Sequence, residues 1–497
     1  MEKNIIIVGA GIAGLSAGCY ACINGFETSI FEKHSIPGGL CTAWKRKGYT
    51  WDISMHLVTN SRKGPFHPMW EELGVTNVPF HYHQQHMRIE GRDKTLTIGT
   101  SKDKLQNAMM AISRAEKKRI RQFLNLIFGK SMMDIMSLKP PELFRLSDTV
   151  EMFAKLLPHI GLMIRYSKST IQDFAREFKD PFLQNVVRFF IDSPGWPMLR
   201  FPTMAMSGLL QSSMIDAGVP VGGSHRVIRG IAERFEKLGG KINYDSPVKE
   251  LIIEQNTARG IRLEDGTEYH GDKVIWGGDG HHLIFDLLKG AYINEQIRKM
   301  YETWTPVLPL VQVMIGVNRD MSGEPHRILI EMERPLSIAN EEHRWLCLIH
   351  HCFDPSAAPS GKSAVEVWFA TDFDYWQSLS KDPQKYKDEK NRIAKLTIAE
   401  LDKRWPGFAS QVEVVDVPTP VTYARFTGNW RGSPDGWYVT PENMSNSGML
   451  RTLPGLSGLY MIGQWTAPFT GTVMAALSGR QAIQMICNQE GKEFKSC

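Results

Sequence analysis

The sequence predicts an α/β protein with three parts: a parallel-sheet domain assembled from separate stretches of the chain, a domain with an antiparallel sheet, and a helical cap. Three observations support this prediction. A glycine-rich turn between a buried strand and a helix opens the chain at 4–32. A second strand-to-helix segment, of small residues, lies at 455–483, and alternating apolar runs, which are typical of strands, occur between residues 301 and 439.

The opening segment is typical of a βαβ unit. Ile5–Val8 is a β-branched run of the kind found in buried parallel strands, and glycines follow it at G-x-G-x-x-G spacing. The first glycine of this motif makes a tight turn, the second lets the backbone approach a pyrophosphate, and the third lets the helix pack closely on the sheet. The free N–H groups of the first helical turn attract phosphates. The motif predicts a Rossmann-like dinucleotide site with contacts from Gly9, Gly11, Ile12, Ala13 and Gly14.

Glu32 ends the second strand of this unit. An acid at this point accepts hydrogen bonds from ribose hydroxyls, which favours an unphosphorylated adenosine ribose. The uncharged stretch from Asn4 to Phe26 also resembles a signal peptide or membrane span. The glycine spacing and the return to strand at Thr28 favour the βαβ unit instead.

Composition limits the class of protein. A chain of 497 residues with 42% hydrophobic content can bury a large core and is expected to form two or three domains. Seven cysteines without paired Cys/His spacing predict no disulfide framework and no metal site. We therefore expect a reducing compartment, such as the cytoplasm. Cys19 and Cys22 form a C-x-x-C inside the first helix, where core packing is favoured over redox chemistry.

The net charge of +5 is concentrated in one region. Residues 102–130 contain eight basic side chains and two acidic ones. Two interpretations remain open, a solvated helix face and a patch for a membrane surface. Nucleic acid is not favoured, because aromatic residues are not interleaved with the basic run before Phe123.

A second glycine pair, Gly38–Gly39, follows the acid, and Gly48-Tyr-Thr-Trp-Asp52 comes shortly after it. This extension resembles the FAD-binding opening of the phytoene desaturase family and its relatives, the carotenoid isomerases, the retinol saturases and, more distantly, the amine oxidases. The resemblance implies FAD as the cofactor. Leu40 stands where many members carry Arg, and Ser54 where many carry Gly. The cofactor contacts implied for this segment are Lys33, Gly38, Gly39 and Leu40.

Residues 91–215 are predicted to form a helical, basic cap that is rich in methionine. Eleven of the 24 methionines lie between Ser101 and Pro220. Methionine side chains adapt to irregular apolar ligands, so the cluster indicates a cap that covers a lipid substrate. Ordinary filling of the protein core is the alternative. The segment 144–165 is expected to form short helices broken at Pro158 and Gly161. Peripheral membrane contact would involve 102–130 and 144–165.

The cofactor domain is expected to resume at 216–300. A helix ending at Gly239–Gly240 precedes a strand, and a hairpin is predicted from 252–265 and 268–275. The resemblance implies that Val248 contacts the adenine and that Gly278 lies in a turn beside the cofactor.

The antiparallel sheet is predicted from runs at 311–317, 328–332 and 364–369, followed by a helix from about Pro383 to Trp405 that Asp382 caps. The resemblance places this sheet behind the flavin. The predicted domains are therefore a cofactor domain (1–90, 216–300 and 440–497), a substrate domain (301–439) and a cap (91–215).

The final block resembles the C-terminal FAD motif of the same family. A strand ends at Gly463, and a helix of small residues follows, whose N-terminus would face the flavin ring. Most members carry an acid after that glycine, whereas this chain has Gln464. The implied contacts are Gly463, Gln464, Gly471, Thr472 and Val473.

The resemblance implies an oxidoreductase that moves a hydride between flavin N5 and a carbon–carbon bond of an apolar polyene, isoprenoid or lipid. Three alternatives remain open: a flavin-dependent isomerase, an amine oxidase with an aromatic cage from Trp430, Trp437 and Trp465, and a flavin-binding scaffold without turnover. The candidate catalytic residues are His56, Trp465 and Asp435. The oligomeric state is left open.

Overall fold

A computed structural model describes residues 3–55, 57–129, 131–198, 200–206, 216–445, 450–468 and 471–497. The described strands are β1 (Asn4–Val8), β2 (Glu27–Phe31), β3 (Ala43–Arg46), β4 (Tyr49–Asp52), β5 (Phe80–His81), β6 (Gln85–Glu90), β7 (Thr95–Gly99), β8 (Val219–Pro220), β9 (Lys241–Asn243), β10 (Val248–Glu254), β11 (Thr257–Leu263), β12 (Glu268–His270), β13 (Lys273–Trp276), β14 (Leu310–Val317), β15 (Arg327–Ile338), β16 (Glu341–His350), β17 (Ser363–Ala370), β18 (Val412–Asp416) and β19 (Leu459–Met461).

The α-helices that lie wholly within the described residues are α1 (Ile12–Ile23), α2 (His67–Glu72), α3 (Lys102–Ile112), α4 (Lys117–Phe128), α5 (Leu146–Leu156), α6 (Ile160–Tyr166), α7 (Ile171–Arg176), α8 (Pro181–Phe189), α9 (Ser224–Lys237), α10 (Glu295–Thr303), α11 (Phe373–Leu379), α12 (Pro383–Arg404), α13 (Pro420–Thr427), α14 (Pro441–Ser445) and α15 (Thr472–Gln489). A π-helical turn covers His282–Leu287, and short 3₁₀ turns connect several elements.

A parallel sheet with strand order β19-β13-β1-β2-β9 joins all three stretches predicted for the cofactor domain. Its central strand β1 is buried on both faces. Ile5 and Ile7 pack among the helices α1, α9 and α15, whereas Ile6 and Val8 pack against the small sheet β10-β11-β12. This double burial explains the continuous β-branched run.

The first and last long helices contact each other through their backbones. A methyl group on Gly479 of α15 would lie 2.4 Å from the carbonyl oxygen of Ala13 on α1. Ser16 donates to the Ala476 carbonyl at 2.7 Å. Small side chains at this crossing therefore bring the two ends of the chain together. Cys19 and Cys22 lie within α1 as free thiols, and Cys19 is fully buried, which confirms the core-packing prediction.

A second, larger sheet has strand order β18-β14-β17-β16-β15-β6-β7. It contains the three predicted runs and also β16 and β18, which the sequence analysis missed. All its pairs are antiparallel except β15 with β6. The helix after it confirms the capping prediction, since Asp382 accepts from the N–H groups of Gln384 and Lys385.

The domain boundary placed at residue 90 needs correction. It falls between β6 and β7, and both strands belong to the large sheet rather than to the cofactor domain and the cap. The pairing of β6 with β15 joins residues that are far apart in sequence, and neither strand carries a local signal of its partner.

The predicted hairpin of 252–265 with 268–275 has its turn in the right place, between β11 and β12, but the extent of its two strands needs correction. The first stretch turns at Gln255 and Asn256, both at positive φ, to give β10 and β11. The second stretch divides into β12, which pairs with β11, and β13, which enters the parallel sheet. Asparagine tolerates the left-handed region, so Asn256 was the available signal for this turn.

The cap packs on one face of the large sheet, and α11 and α12 pack on the other. Helices α3, α4, α7 and α8 contribute apolar side chains against Leu329, Trp345 and Cys347 of the sheet. The predicted break at Pro158 is confirmed, because α5 ends at Leu156, a 3₁₀ turn follows and α6 begins at Ile160. The break predicted at Gly161 is wrong, because this residue lies inside α6, where a glycine weakens a helix without ending it. No helix among the described residues is long and apolar enough to cross a bilayer.

The Gly48–Asp52 motif fastens the two sheets together. The indole N–H of Trp51 donates to the carbonyl of Val365 on β17 at 3.1 Å, and the Tyr49 hydroxyl donates to Glu413 at 2.7 Å. Asp52 accepts from both the backbone N–H and the hydroxyl of Ser224 at the start of α9. The motif therefore has a structural role in docking the domains.

We expect Gly14→Ala to destabilise the protein, because the added methyl group would lie 2.0 Å from the carbonyl oxygen of Gly9. Overpacking costs about 1–3 kcal/mol, and here the obstacle is backbone. Thermal unfolding should show a lower midpoint. Gly230→Ala in α9 is the control, because its methyl group meets no atom within 4 Å; this change should be neutral or stabilising. Equal midpoints for the Gly14 variant and wild type would contradict the tight packing.

Candidate active site

One cavity of about 730 Å³ is bordered by the parallel sheet, the large sheet and the cap. Two of the three candidate catalytic residues, Trp465 and Asp435, line it, and His56 lies outside the described residues. Gly14 does not line the cavity, in keeping with its packing role. The predicted cofactor residues that line it are Gly9, Gly11, Ile12, Ala13, Glu32, Lys33, Gly38, Gly39, Leu40, Val248, Gly278, Gly463, Gln464, Gly471, Thr472 and Val473.

At the dinucleotide end, Glu32 braces the glycine-rich turn. Its buried carboxylate accepts from the backbone N–H groups of Ala10 at 2.8 Å and His34 at 3.0 Å. The Gly38 N–H donates to the Ala10 carbonyl at 3.0 Å, which folds the second glycine pair onto the first motif. The acid is therefore held at the cavity wall by the turn that it supports.

Open space beside two glycines fits a dinucleotide. A methyl group on Gly11 or on Gly471 would meet no atom within 4 Å, and both residues line the cavity at the start of a helix. Backbone N–H groups at such positions can be approached closely by phosphate or carbonyl oxygens. A methyl group on Gly14 would instead lie 2.0 Å from the backbone oxygen of Gly9, so the three glycines of the motif have different surroundings.

At the other anchor, buried hydrogen-bond donors lack partners. The Gln464 side-chain amide nitrogen and the Trp465 indole nitrogen are buried without an acceptor among the described residues. Asp435 accepts from the Gly471 N–H at 2.9 Å and so holds the N-terminus of α15. Unpaired buried donors are costly, and a bound ring with carbonyl groups would supply acceptors. The residues present therefore fit FAD.

Three tryptophans pack against one another beside this anchor. The Trp437 and Trp465 ring centroids are 5.2 Å apart in edge-to-face geometry, and Trp430 lies 5.9 Å from Trp437. Trp465 lines the cavity, whereas Trp430 and Trp437 are not among its lining residues. Their mutual packing does not form the aromatic cage that the amine oxidase alternative required.

Asp279 is a cavity residue that was not among the predicted site residues. It accepts from the backbone N–H groups of His282 and Trp430, both at 2.7 Å. Burial raises the pKa of Asp279 to about 6, against the effect of these hydrogen bonds. The carboxyl joins the turn after β13 to the segment that carries the tryptophans. Its signal was the predicted glycine turn at 276–280, from which only Gly278 was taken.

The cap end of the cavity is apolar. Of the eleven cap methionines, Met133 and Met198 are among the lining residues, and several others fill the core between cap and sheet. The expectation that methionines line the pocket therefore needs correction, because this end is lined mainly by aromatic and aliphatic side chains. The remaining apolar residues lining this end include Phe190, Ile191, Trp196 and Phe201.

Residues in and next to the strands of the large sheet add polar side chains that the sequence did not indicate. His83 and His326 stack with ring centroids 4.3 Å apart, and both line the cavity with Arg327 and Trp368. His326 donates through Nδ1 to the His350 carbonyl at 2.6 Å. Burial lowers the pKa of His83 to about 3 and that of His326 well below its usual value, so both rings are neutral near pH 7. These residues belong to no sequence motif.

Among the described residues, no group of three or more His, Cys, Asp or Glu side chains is arranged to hold a metal ion.

Comparisons with known proteins agree with this geometry. The family model for flavin-containing amine oxidoreductases matches residues 12–486. The chain is 24% identical over 532 residues to the chloroplastic prolycopene isomerase of Arabidopsis thaliana, covering 99% of this chain and 84% of that protein. It is 23% identical to the neurosporene-forming phytoene desaturase of Rhodobacter capsulatus, covering 97% and 93%. A solved oxidoreductase from Methanosarcina mazei shares the fold, with a TM-score of 0.63, 16% identity and coverage of 97% and 100%.

Substitution of Glu32 should affect both cofactor binding and the turn. We expect Glu32→Gln to weaken FAD binding roughly ten- to hundredfold, since a charge-assisted hydrogen bond contributes about 1.5–3 kcal/mol. Glu32→Ala should also destabilise the apoprotein by about 1–3 kcal/mol, because the Ala10 N–H loses its acceptor. Fluorescence titration of apoprotein with FAD and thermal unfolding measure the two effects.

Glu27→Gln, at the exposed start of the same strand, is the matched control and should change neither quantity. If FAD affinity is retained in Glu32→Gln, the role of Glu32 is limited to holding the turn.

Proposed function

The chain belongs to the family of flavin-containing amine oxidoreductases and is an FAD-dependent oxidoreductase, and from this premise we propose that it acts on carbon–carbon bonds of an apolar polyene or related isoprenoid lipid. The observation that carries the proposal is one continuous cavity with cofactor motifs at one end and aromatic and aliphatic cap residues at the other. The names of the curated relatives, a prolycopene isomerase and a phytoene desaturase, support the same substrate class.

In this proposal, the residues of the chain bind FAD, orient the substrate and shield both from water. We propose that backbone N–H groups near Gly11 hold the pyrophosphate, that Glu32 holds the ribose and that Val248 contacts the adenine. When bound, FAD supplies a ring that accepts or releases a hydride. Gln464 and Trp465 offer buried N–H donors to the carbonyl edge of that ring. The N-terminus of α15 adds a positive dipole there.

Acid–base chemistry has a small part in this proposal. Asp435 positions the N-terminus of α15 through the Gly471 N–H, and Trp465 packs within the tryptophan cluster. The cap excludes water and aligns the substrate. A catalytic role for Asp435, Trp465 or His56 stays a prediction.

A flavin-dependent isomerase is the second candidate. The chain resembles prolycopene isomerase over 99% of its length, and the same cavity would serve a reaction in which the hydride returns to the substrate. Net oxidation or reduction of the substrate separates the two candidates, because isomerisation leaves the elemental composition of the polyene unchanged.

We also propose that the cap contacts an anionic membrane surface. Helices α5 and α6 expose apolar side chains at helical spacing, and the exposed fraction reaches 81% at Leu146 and 76% at Ile164. Such a row fits the interface of a bilayer. Exposed basic residues on the neighbouring helices α3 and α4 complement anionic lipid. The apolar row consists of Leu146, Val150, Phe153, Leu157, Ile160 and Ile164.

The basic run itself is less uniform than its sequence suggests. Arg119 is half-buried and forms an ion pair with Glu177, whereas Lys117, Lys118 and Arg121 are exposed. Arg119 therefore belongs to the structure of the cap. Lys130 lies outside the described residues.

The substrate class is tested by filling the cavity. Purified protein under anaerobic conditions should change its flavin absorbance when a polyene such as phytoene or lycopene is added in detergent. We expect Ile191→Trp, which places bulk in the apolar end, to slow this change at least about tenfold because the substrate must fit the remaining space. FAD content and reduction by dithionite are the controls and should be unchanged. Equal rates for variant and wild type, or a response to amines alone, would contradict the proposal.

The membrane proposal is tested by flotation with vesicles that contain phosphatidylglycerol. Replacing Leu146, Phe153 and Ile164 together by serine should abolish flotation, since full burial of each large apolar side chain contributes about 1.5–3 kcal/mol of binding free energy. Replacing Lys117, Lys118 and Arg121 together by glutamine should weaken binding to the vesicles roughly hundredfold at low salt, since each basic residue contributes about 1 kcal/mol.

Tyr269→Ser removes an exposed apolar residue from the small sheet and serves as the flotation control. Flotation of the serine variant at the wild-type level would show that the apolar row does not contact the membrane.

A further inference from the structure

Arg327 is a cation in the cavity wall that lacks an anionic partner. It begins β15, is half-buried and lines the cavity. Among the described residues it makes no ion pair and no side-chain hydrogen bond, and its guanidinium lies 5.9 Å from the ring centroid of Trp368. The next residue, Ile328, packs in the core on the α12 side of the sheet, so Arg327 lies on the cap side.

Other arginines of this region are paired. Arg88, on the strand beside β15, contacts Glu90 and Glu324, and Arg404 contacts Glu90 as well. Arg188 of the cap binds Asp192 at 2.9 Å. The lack of a carboxylate at Arg327 is therefore a local feature rather than a general property of the sheet.

The nearby buried acids are already occupied. Glu366 accepts from His351 Nε2 at 2.6 Å and from the Trp368 indole at 2.8 Å. Asp192 accepts from Gln172 and from the Met198 backbone N–H in addition to Arg188. Neither carboxylate has a contact with Arg327.

Two stacked histidines at this wall, His83 and His326, add no charge near pH 7. His83 and His326 have lowered pKa values because they are buried, and the His83 Nε2 atom is buried without a partner among the described residues. A guanidinium stays charged in proteins and is costly to bury unless an anion pairs with it. The wall thus presents the Arg327 guanidinium and an unpaired imidazole nitrogen among mostly apolar side chains.

We propose that the substrate of this protein carries a carboxylate at one end of its apolar chain and that Arg327 binds this carboxylate. The apolar part of the substrate rests on the proposed function, and the acid group is what Arg327 adds. A guanidinium and a carboxylate form two parallel hydrogen bonds, and one cation matches one monoanion. A diphosphate would leave negative charge unpaired, because Arg327 is the only lysine or arginine among the described lining residues of the large sheet and cap.

The experiment compares ligands that differ in the charged group. Holoenzyme is titrated with retinoate, retinol and geranylgeranyl diphosphate, and binding is followed by the flavin absorbance spectrum and by quenching of tryptophan fluorescence. We expect retinoate to bind more tightly than either of the others. Arg327→Met should weaken retinoate binding roughly ten- to hundredfold, leave retinol binding unchanged and leave FAD content unchanged. Arg327→Lys should restore part of the loss.

Arg334→Met is the matched control, since Arg334 is exposed on the same strand. Equal affinity for retinoate and retinol, a retinoate affinity that Arg327→Met does not change, or tighter binding of the diphosphate would each overturn the proposal. A different result would contradict the proposed function alone: retinoate would bind through Arg327, but no polyene would alter the flavin redox state. If a hydrocarbon polyene reacts and retinoate does not bind, the carboxylate inference alone fails.

Discussion

The site depends on the backbone contact between α1 and α15. Gly479 lies so close to α1 that a methyl group would clash with the Ala13 carbonyl, and the Gly463 N–H donates to the hydroxyl of the adjacent Ser478. Because both helices begin at the cavity, this contact fixes the distance between the glycine-rich turn and the C-terminal anchor. Larger side chains at the crossing would separate the two sets of N–H groups and would leave neither able to contact the same extended ligand.

The second constraint is the docking of the large sheet on the parallel sheet. Trp51 hydrogen-bonds the backbone of β17 while Asp52 holds the N-terminus of α9, so one short motif contacts both domains. The cavity is the space left between these rigid parts and the cap. This arrangement explains why one wall consists of backbone N–H groups suited to an anionic cofactor and the other of side chains suited to an apolar chain.

Few of the side chains that line the cavity are charged. Glu32 and Asp435 are both engaged by backbone N–H groups, and Asp279 is held in the same way. These carboxylates fix turns and helix ends, and their negative charge is offset by peptide dipoles. Arg327 differs because no group of the described chain offsets its charge. The cavity therefore combines a pre-organised polar cofactor end with an arginine, on the wall of the large sheet, that a ligand can neutralise.

The sequence by itself determined the local elements whose physics lies within a few residues: the glycine turn, the acid after β2, the Asp382 cap and the break at Pro158. Steric limits on glycine, proline and capping side chains produce these signals without reference to distant parts of the chain. The tertiary structure alone decided the parallel pairing of β6 with β15, the place of β6 and β7 in the large sheet, and the positions of His83, His326 and Arg327 on one cavity wall. Strand pairing between distant segments depends on the packing of whole layers, and a lone arginine at the start of a strand has the same local pattern whether it faces solvent or a cavity.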